Sequence, residues 1–244
     1  MSAAKRLSTI ESSLRGTGED IVIVSGCRTA IARAGRGGFK DTGPVDLLAT
    51  VLKEVLARVS FPANKVDDIV VGNVLLPGAG ALQARMAMLL AGIPEESSIY
   101  TINRQCSSGL QAIATVAGAL VSGQITVGIA AGVESMTNGK MGDNGPISQS
   151  VFSHEKAKQC TLPMGITSEN VASRYGIGRP EQDQFALASY QKALAAVQAG
   201  KFTAEIVPVV TVVKDKDGSA KAVTIATDEG PRPTTLESLT KLKP

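Results

Sequence analysis

Asn103-Arg-Gln-Cys106-Ser-Ser-Gly109-Leu-Gln111 joins two runs of different texture. The five residues before it, Ser-Ile-Tyr-Thr-Ile at 98–102, predict a strand. The run from 106 to 121 predicts a helix, ended by Gly123. That helix is apolar on nearly every face, which predicts burial on all sides, as in a helical layer between two sheets. A thiol at a helix start faces unpaired N–H groups and the positive end of the macrodipole, and both favour thiolate over thiol. The same N–H groups could help to hold a developing oxyanion. Gly109 would let another backbone or a substrate approach closely, and Ser107 and Ser108 are too small to crowd the site. The plain alternative for Cys106 is a small buried side chain packing the helix start. On the residues alone both readings stand.

Working outward, β-branched residues 21–24 predict a buried strand. Residues 28–43, rich in Gly and Arg, predict a long loop, and Pro44 opens a helix to about Val59. A strand falls within 66–75. A helix follows from 81 to 90, stopped by Gly92 and Pro94, and a fourth strand falls at 125–131. Strand and helix alternate, so a parallel or mixed sheet with crossover helices is expected. From Ser135 to about Gly165 the chain turns to Gly, Asn, Ser and Met and predicts an insertion with little regular structure. Helices are expected at 167–175, with Thr167 as cap, and at 180–199 before Gly200. Residues 204–213 and 222–226 predict a hairpin, and 230–233 a rigid loop before a last helical turn.

Composition excludes several classes. With 43% apolar and 19% charged residues, the 244-residue chain belongs with globular rather than disordered proteins. Aromatic residues are 3% and no Lys/Arg run is dense, so no nucleic-acid partner is expected. The stretch 110–120 is broken by Gln111, Thr115 and Gly118 and is too short for a membrane span. Cys27, Cys106 and Cys160 are widely spaced and His154 is the single histidine, so neither a metal site nor a disulfide framework is expected. Cys27 and Cys160 read as structural thiols. Residues 1–19 stand apart: Leu7, Ile10 and Leu14 share one face of a short helix, which is either a frayed terminus or a targeting segment.

The segment from Asn103 to Ala112 resembles the nucleophile motif of the thiolases, the peroxisomal 3-ketoacyl-CoA thiolases in particular. Gly72-Asn-Val-Leu75 with Gly78-Ala-Gly80, Gly132-Val-Glu-Ser-Met136, and Leu162-Pro-Met-Gly-Ile-Thr-Ser-Glu-Asn170 are similar to that family in order and spacing. So are Asp228-Glu-Gly-Pro-Arg-Pro233 and Lys241-Leu-Lys-Pro244. The resemblance implies the thiolase fold, an αβαβα sandwich of two similar α/β halves with a loop domain inserted in the first. Residues 20–132 would form the first α/β half, and 133–244 the loop domain and the start of the return toward the core. The C-terminal half would lie outside the chain.

The resemblance also implies the chemistry. Cys106 would be the nucleophile in cleavage of a 3-ketoacyl-CoA to acetyl-CoA and a shortened acyl-CoA, through an acyl-cysteine, in fatty acid β-oxidation. Arg232 matches a coenzyme A-contacting position and Met164 one that lines the acyl pocket. The alternatives are a solvated arginine and a packing methionine. Coenzyme A would be a co-substrate, with no permanently bound cofactor, and the full-length enzyme a homodimer. The family's general base, in a Gly-His-Pro motif, and its second acid/base, in Cys-x-Gly-x-Gly, belong to its second half, and neither motif occurs in these residues. Two other functions compete: a non-catalytic short form that pairs with a full-length subunit, and a ketosynthase-type condensing enzyme. Arg6-Leu7 with Ser13-Leu14 resembles the amino-terminal peroxisomal import signal, with Ser13 where the family carries His or Gln. A peroxisomal location is therefore expected, with mitochondrial and cytosolic locations as the alternatives.

Overall fold

The computed structural model describes residues 20–142, 145–215 and 217–243; the targeting reading of residues 1–19 lies outside them. In chain order the elements are β1 (Arg28–Thr29), α1 (Pro44–Ala57), β2 (Asp68–Gly72), α2 (Ala81–Leu90), β3 (Ser98–Ile102), α3 (Ser108–Val121) and β4 (Gly128–Gly132). Then come α4 (Gln149–Ser153), α5 (Glu155–Gln159), α6 (Met164–Tyr175), α7 (Arg179–Gln198), β5 (Ile206–Val207), β6 (Val209–Lys214), β7 (Ala220–Ile225) and α8 (Leu236–Thr240). The described residues fall into two compact units, one of residues 20–27 with 44–134, the other of 28–43 with those described between 135 and 243.

The first unit is built on a parallel sheet in the order β3-β2-β4. Gly72 is level with Ile102 on one side and Gly132 on the other, so the three strands end together. Side chains alternate across β2. Ile69 and Val71 join a core with Leu48, Leu52 and Leu56 of α1 and Ala84, Ala87 and Met88 of α2. The three leucines recur every fourth residue and so form one stripe on α1. Val70 faces the other way and packs on Ala112 and Val116 of α3. Asp67 anchors the start of β4: its carboxylate accepts from the N–H groups of Thr126 and Val127 at 2.7 and 2.9 Å. The Val127 and Thr126 N–H groups hold that carboxyl below the usual range.

The second unit holds the α6–α7 helical segment, the antiparallel β6–β7 hairpin and the parallel β1–β5 pair. Arg28 organises it. Its guanidinium donates to Glu205 at 2.6 Å and to both carboxylate oxygens of Asp228 at 2.7 and 2.9 Å, and lies over the Phe202 ring. Asp228 also accepts from Ile31 N–H, and Glu229 accepts from the N–H groups of Arg33 and Gly38. The Gly- and Arg-rich stretch is thus folded around two carboxylates nearly two hundred residues away, at about 200 positions for the Arg28–Asp228 pair.

Several local expectations are corrected. Residues 21–24 form no strand, and Ile23 is 83% exposed. A β-branched run becomes a strand only when a neighbour pairs with it, and among the described residues none does. Among the described residues α3 is covered on one side only: Ser108, Ala112 and Val116 are buried and Val121 is 79% exposed. Thr167 does not cap α6, which begins three residues earlier behind Pro163; its hydroxyl donates back to the Met164 carbonyl. The stretch after Ser135 is more regular than expected, since it contains α4 and α5.

Candidate active site

The level strand ends place Asn73, Asn103 and Val133 side by side. Asn73 N–H donates to the Ile102 carbonyl and Val133 N–H to the Gly72 carbonyl, so the sheet pairing runs one step beyond the strands. The Asn73 side chain is buried; it donates to Val133 O at 2.6 Å and to Glu134, and accepts from Leu76 N–H. The carboxyl edge of a parallel sheet is the usual seat of a ligand in open α/β folds.

Cys106 stands at this edge, between β3 and α3, and is exposed. The packed-thiol alternative therefore does not describe it. The turn that carries it is tightly stitched. Gln105 has φ +48°, a left-handed conformation that costs a non-glycine residue energy. Asn103 Oδ1 accepts from Gln105 N–H at 2.9 Å, a local turn of the Asx kind. Ser107 Oγ donates to Arg104 O, and Ser108 Oγ donates to Gln105 O while accepting from Arg104 N–H. The two serines thus bind the turn and do more than keep it uncrowded. Two N–H groups of the junction are already engaged, Ser107 with Arg104 O and Ser108 with Gln105 O, so these do not serve an oxyanion as arranged here.

Among the described residues the close backbone approach is made at Gly72 and not at Gly109. A Cβ on Gly109 would meet nothing within 4 Å, whereas one on Gly72 would lie 2.6 Å from the Ser108 backbone. Lacking a side chain at the end of β2 lets the first turn of α3 settle onto the sheet. Its signal in the sequence is a glycine at the end of a β-branched run, Ile69-Val-Val-Gly72.

The other thiols differ. Cys27 is partly buried, its Sγ donates to Val51 O, and burial pushes the thiol up, with Arg58 opposing and Glu54 adding to the shift. Cys160 is exposed at the end of α5, not packed as a structural thiol would be. His154 caps α5, its Nδ1 accepting from Ala157 N–H at 3.1 Å.

Met164 and Arg232 belong to the second unit, and Cys106 to the first. Met164 opens α6 and is 65% exposed. Arg232 is exposed, its guanidinium 5.8 Å from the centre of the Tyr190 ring on α7. A cavity of about 330 Å³ between α7 and α8 is lined by Arg179, Asp183, Leu236 and Leu242 among others. Among the described residues no group of three or more His, Cys, Asp or Glu side chains could hold a metal, and no helix is long and apolar enough to cross a membrane.

The chain is 55% identical over 231 residues to the rat 3-ketoacyl-CoA thiolase B, peroxisomal, covering 94% of this chain and 54% of that protein. It is 55% identical over 226 residues to the human 3-ketoacyl-CoA thiolase, peroxisomal, covering 92% and 53%. It therefore spans about half the length of the curated relatives it matches. Among solved structures it is similar to the dimeric peroxisomal thiolase of Saccharomyces cerevisiae, at 43% identity and a TM-score of 0.83, over 96% of this chain and 60% of that one. A second structure of that yeast enzyme, 40% identical with a TM-score of 0.71 over 90% and 58%, is described as five-layered α-β-α-β-α, built from two core domains of identical topology. The thiolase N-terminal domain matches residues 21–244, and the chain belongs to the thiolase family.

Proposed function

We propose that this chain carries the nucleophile-bearing half of a peroxisomal 3-ketoacyl-CoA thiolase, with Cys106 as the attacking group. The observation that carries the reading is the exposed thiol held on a left-handed turn at the helix start, at the carboxyl edge of a parallel sheet. In the reaction Cys106 Sγ, as thiolate, adds to the 3-keto carbonyl of a 3-ketoacyl-CoA. The C2–C3 bond breaks, its electron pair leaves as the acetyl-CoA enolate, and a proton converts this to acetyl-CoA. The thiol of free coenzyme A, losing its proton, then takes the acyl group from sulfur and restores Cys106. Arg232 is assigned to coenzyme A and Met164 to the acyl chain; exposure of both within their unit supports this. The single histidine is occupied as a helix cap, so the proton transfers are assigned to a second core domain. The peroxisomal names of the relatives support the location, and the dimeric yeast structure supports a homodimer of the whole enzyme.

Alkylation by iodoacetamide near neutral pH, followed by peptide mass spectrometry, tests the role of Cys106. Cys106 should react several-fold faster than Cys160, although both are exposed, and Cys27 slowest of the three. Equal rates at Cys106 and Cys160 would show that exposure alone sets reactivity and would remove the special role.

A further inference from the structure

We infer that Asn103 is the positioning residue for Cys106, with Glu134 as its buttress; this rests on the reading of Cys106 as nucleophile. The observation is a continuous chain of hydrogen bonds within the first unit. Asn103 acts at both ends of its side chain: Oδ1 accepts from Gln105 N–H at 2.9 Å, and Nδ2 donates to the Val74 carbonyl at 3.3 Å. The peptide N–H of Val74 donates in turn to Glu134 Oε2 at 3.0 Å, and Leu75 N–H to the same carboxylate at 3.3 Å. Glu134 also accepts from the buried Asn73 side chain, which bonds Val133 O. One carboxylate, anchored just past β4, thus holds the turn after β2, and that turn holds Asn103.

The reason such support is needed lies in Gln105. A left-handed non-glycine residue relaxes to a commoner conformation unless its surroundings prevent it. Relaxation would rotate the Gln105–Cys106 peptide and carry Sγ away from the start of α3. The Asn103 acceptor engages Gln105 N–H directly, and its donor ties that contact to β2 and β4. Neither Asn103 nor Glu134 needs to touch substrate; each acts through the main chain that carries Cys106.

The three thiols give the test internal standards. Alkylation rates of Cys106, Cys27 and Cys160 are measured in the folded chain and in Asn103→Ala, Asn103→Ser and Glu134→Gln. Asn103→Ala should slow Cys106 relative to Cys160 by about tenfold, because a thiol moved off the helix start loses the surroundings that favour thiolate. Asn103→Ser should recover part of the loss, because a hydroxyl can accept from the N–H two residues on, though more weakly. Glu134→Gln should slow Cys106 by about threefold, and the double variant with Asn103→Ala should cost less than the product of the two singles, as coupled residues do. Cys27 should stay slow in every variant, since its partly buried site reports loosening of the same unit. An unchanged Cys106 rate in Asn103→Ala, no recovery in Asn103→Ser, or a parallel rise at Cys27 would each overturn the inference. Equal Cys106 and Cys160 rates in the unsubstituted chain would instead overturn the nucleophile reading itself.

Discussion

The two faces of the β3-β2-β4 sheet are covered by helices of similar length and opposite character. On one face α1 and α2 close a dense core in which Leu52, Ile69 and Met88 are fully buried. On the other, α3 touches the sheet through Ala112 and Val116 and turns Leu110, Ile113 and Val121 outward. The outward apolar face is unusual for a surface helix, which ordinarily keeps polar residues there. The first face is finished by its own sequence. The second carries the Cys106 turn, and among the described residues its apolar outer side is left uncovered.

The largest expected effect breaks the comparison at the open face. Assayed alone, the chain should cleave 3-ketoacyl-CoA several orders of magnitude more slowly than a full-length relative, because each acid–base group contributes about 10²–10⁴-fold. Adding a separately expressed C-terminal half of such a relative should raise turnover, and Cys106→Ala should abolish the gain. Full turnover by the chain alone would show that the open face needs no covering domain.

A smaller effect separates the faces by stability. Leu52→Ala should cost about 2–5 kcal/mol in urea unfolding, since it leaves a cavity among side chains that cannot collapse into it. Leu110→Ser on the exposed side of α3 should change stability by no more than about 0.5 kcal/mol and should improve solubility. Equal costs would mean that α3 is covered in solution.

The smallest effect sharpens the contrast between apolar and ionic cohesion. Asp228, hydrogen-bonded to Arg28, has its carboxyl held below the usual range, chiefly by that bond. A depressed folded value means that its contribution is complete above about pH 4, the unfolded carboxyl range, and is lost as the pH falls through the folded value. Asp228→Asn should therefore cost about 1.5–3 kcal/mol near neutral pH, as hydrogen bonds to charged groups do. The cost should vanish in strong acid, while the apolar core around Leu52 shows no such dependence. Urea midpoints of both proteins between neutral and acidic pH would check it.

Where side chains repeat with a clear period, their elements were legible. The leucines of α1, the strand at 98–102 and the helix stop at Gly123 all appear where local pattern puts them, because each depends on neighbours a few residues away. Cys106 was legible as a thiol near a helix start, for the same reason. Its support was not: Asn103, Val74 and Glu134 are linked by hydrogen bonds spanning 29 and 60 positions, which no window of sequence displays. Residues 21–24 mark the opposite failure. Their composition is that of a strand, yet pairing is a property of two segments, and composition reports only one.

By itself, then, the sequence determined most of the strands and helices between residues 44 and 132 and the place of Cys106 near a helix start, since propensity, periodicity and helix ends are local. Only the tertiary structure decided that Gly72 must lack a side chain, that Asn103 grips Gln105 and that residues 28–43 fold around Asp228 and Glu229. Each of these depends on groups distant in the chain meeting within hydrogen-bond or contact range, and those distances exist only once the backbone has closed on itself.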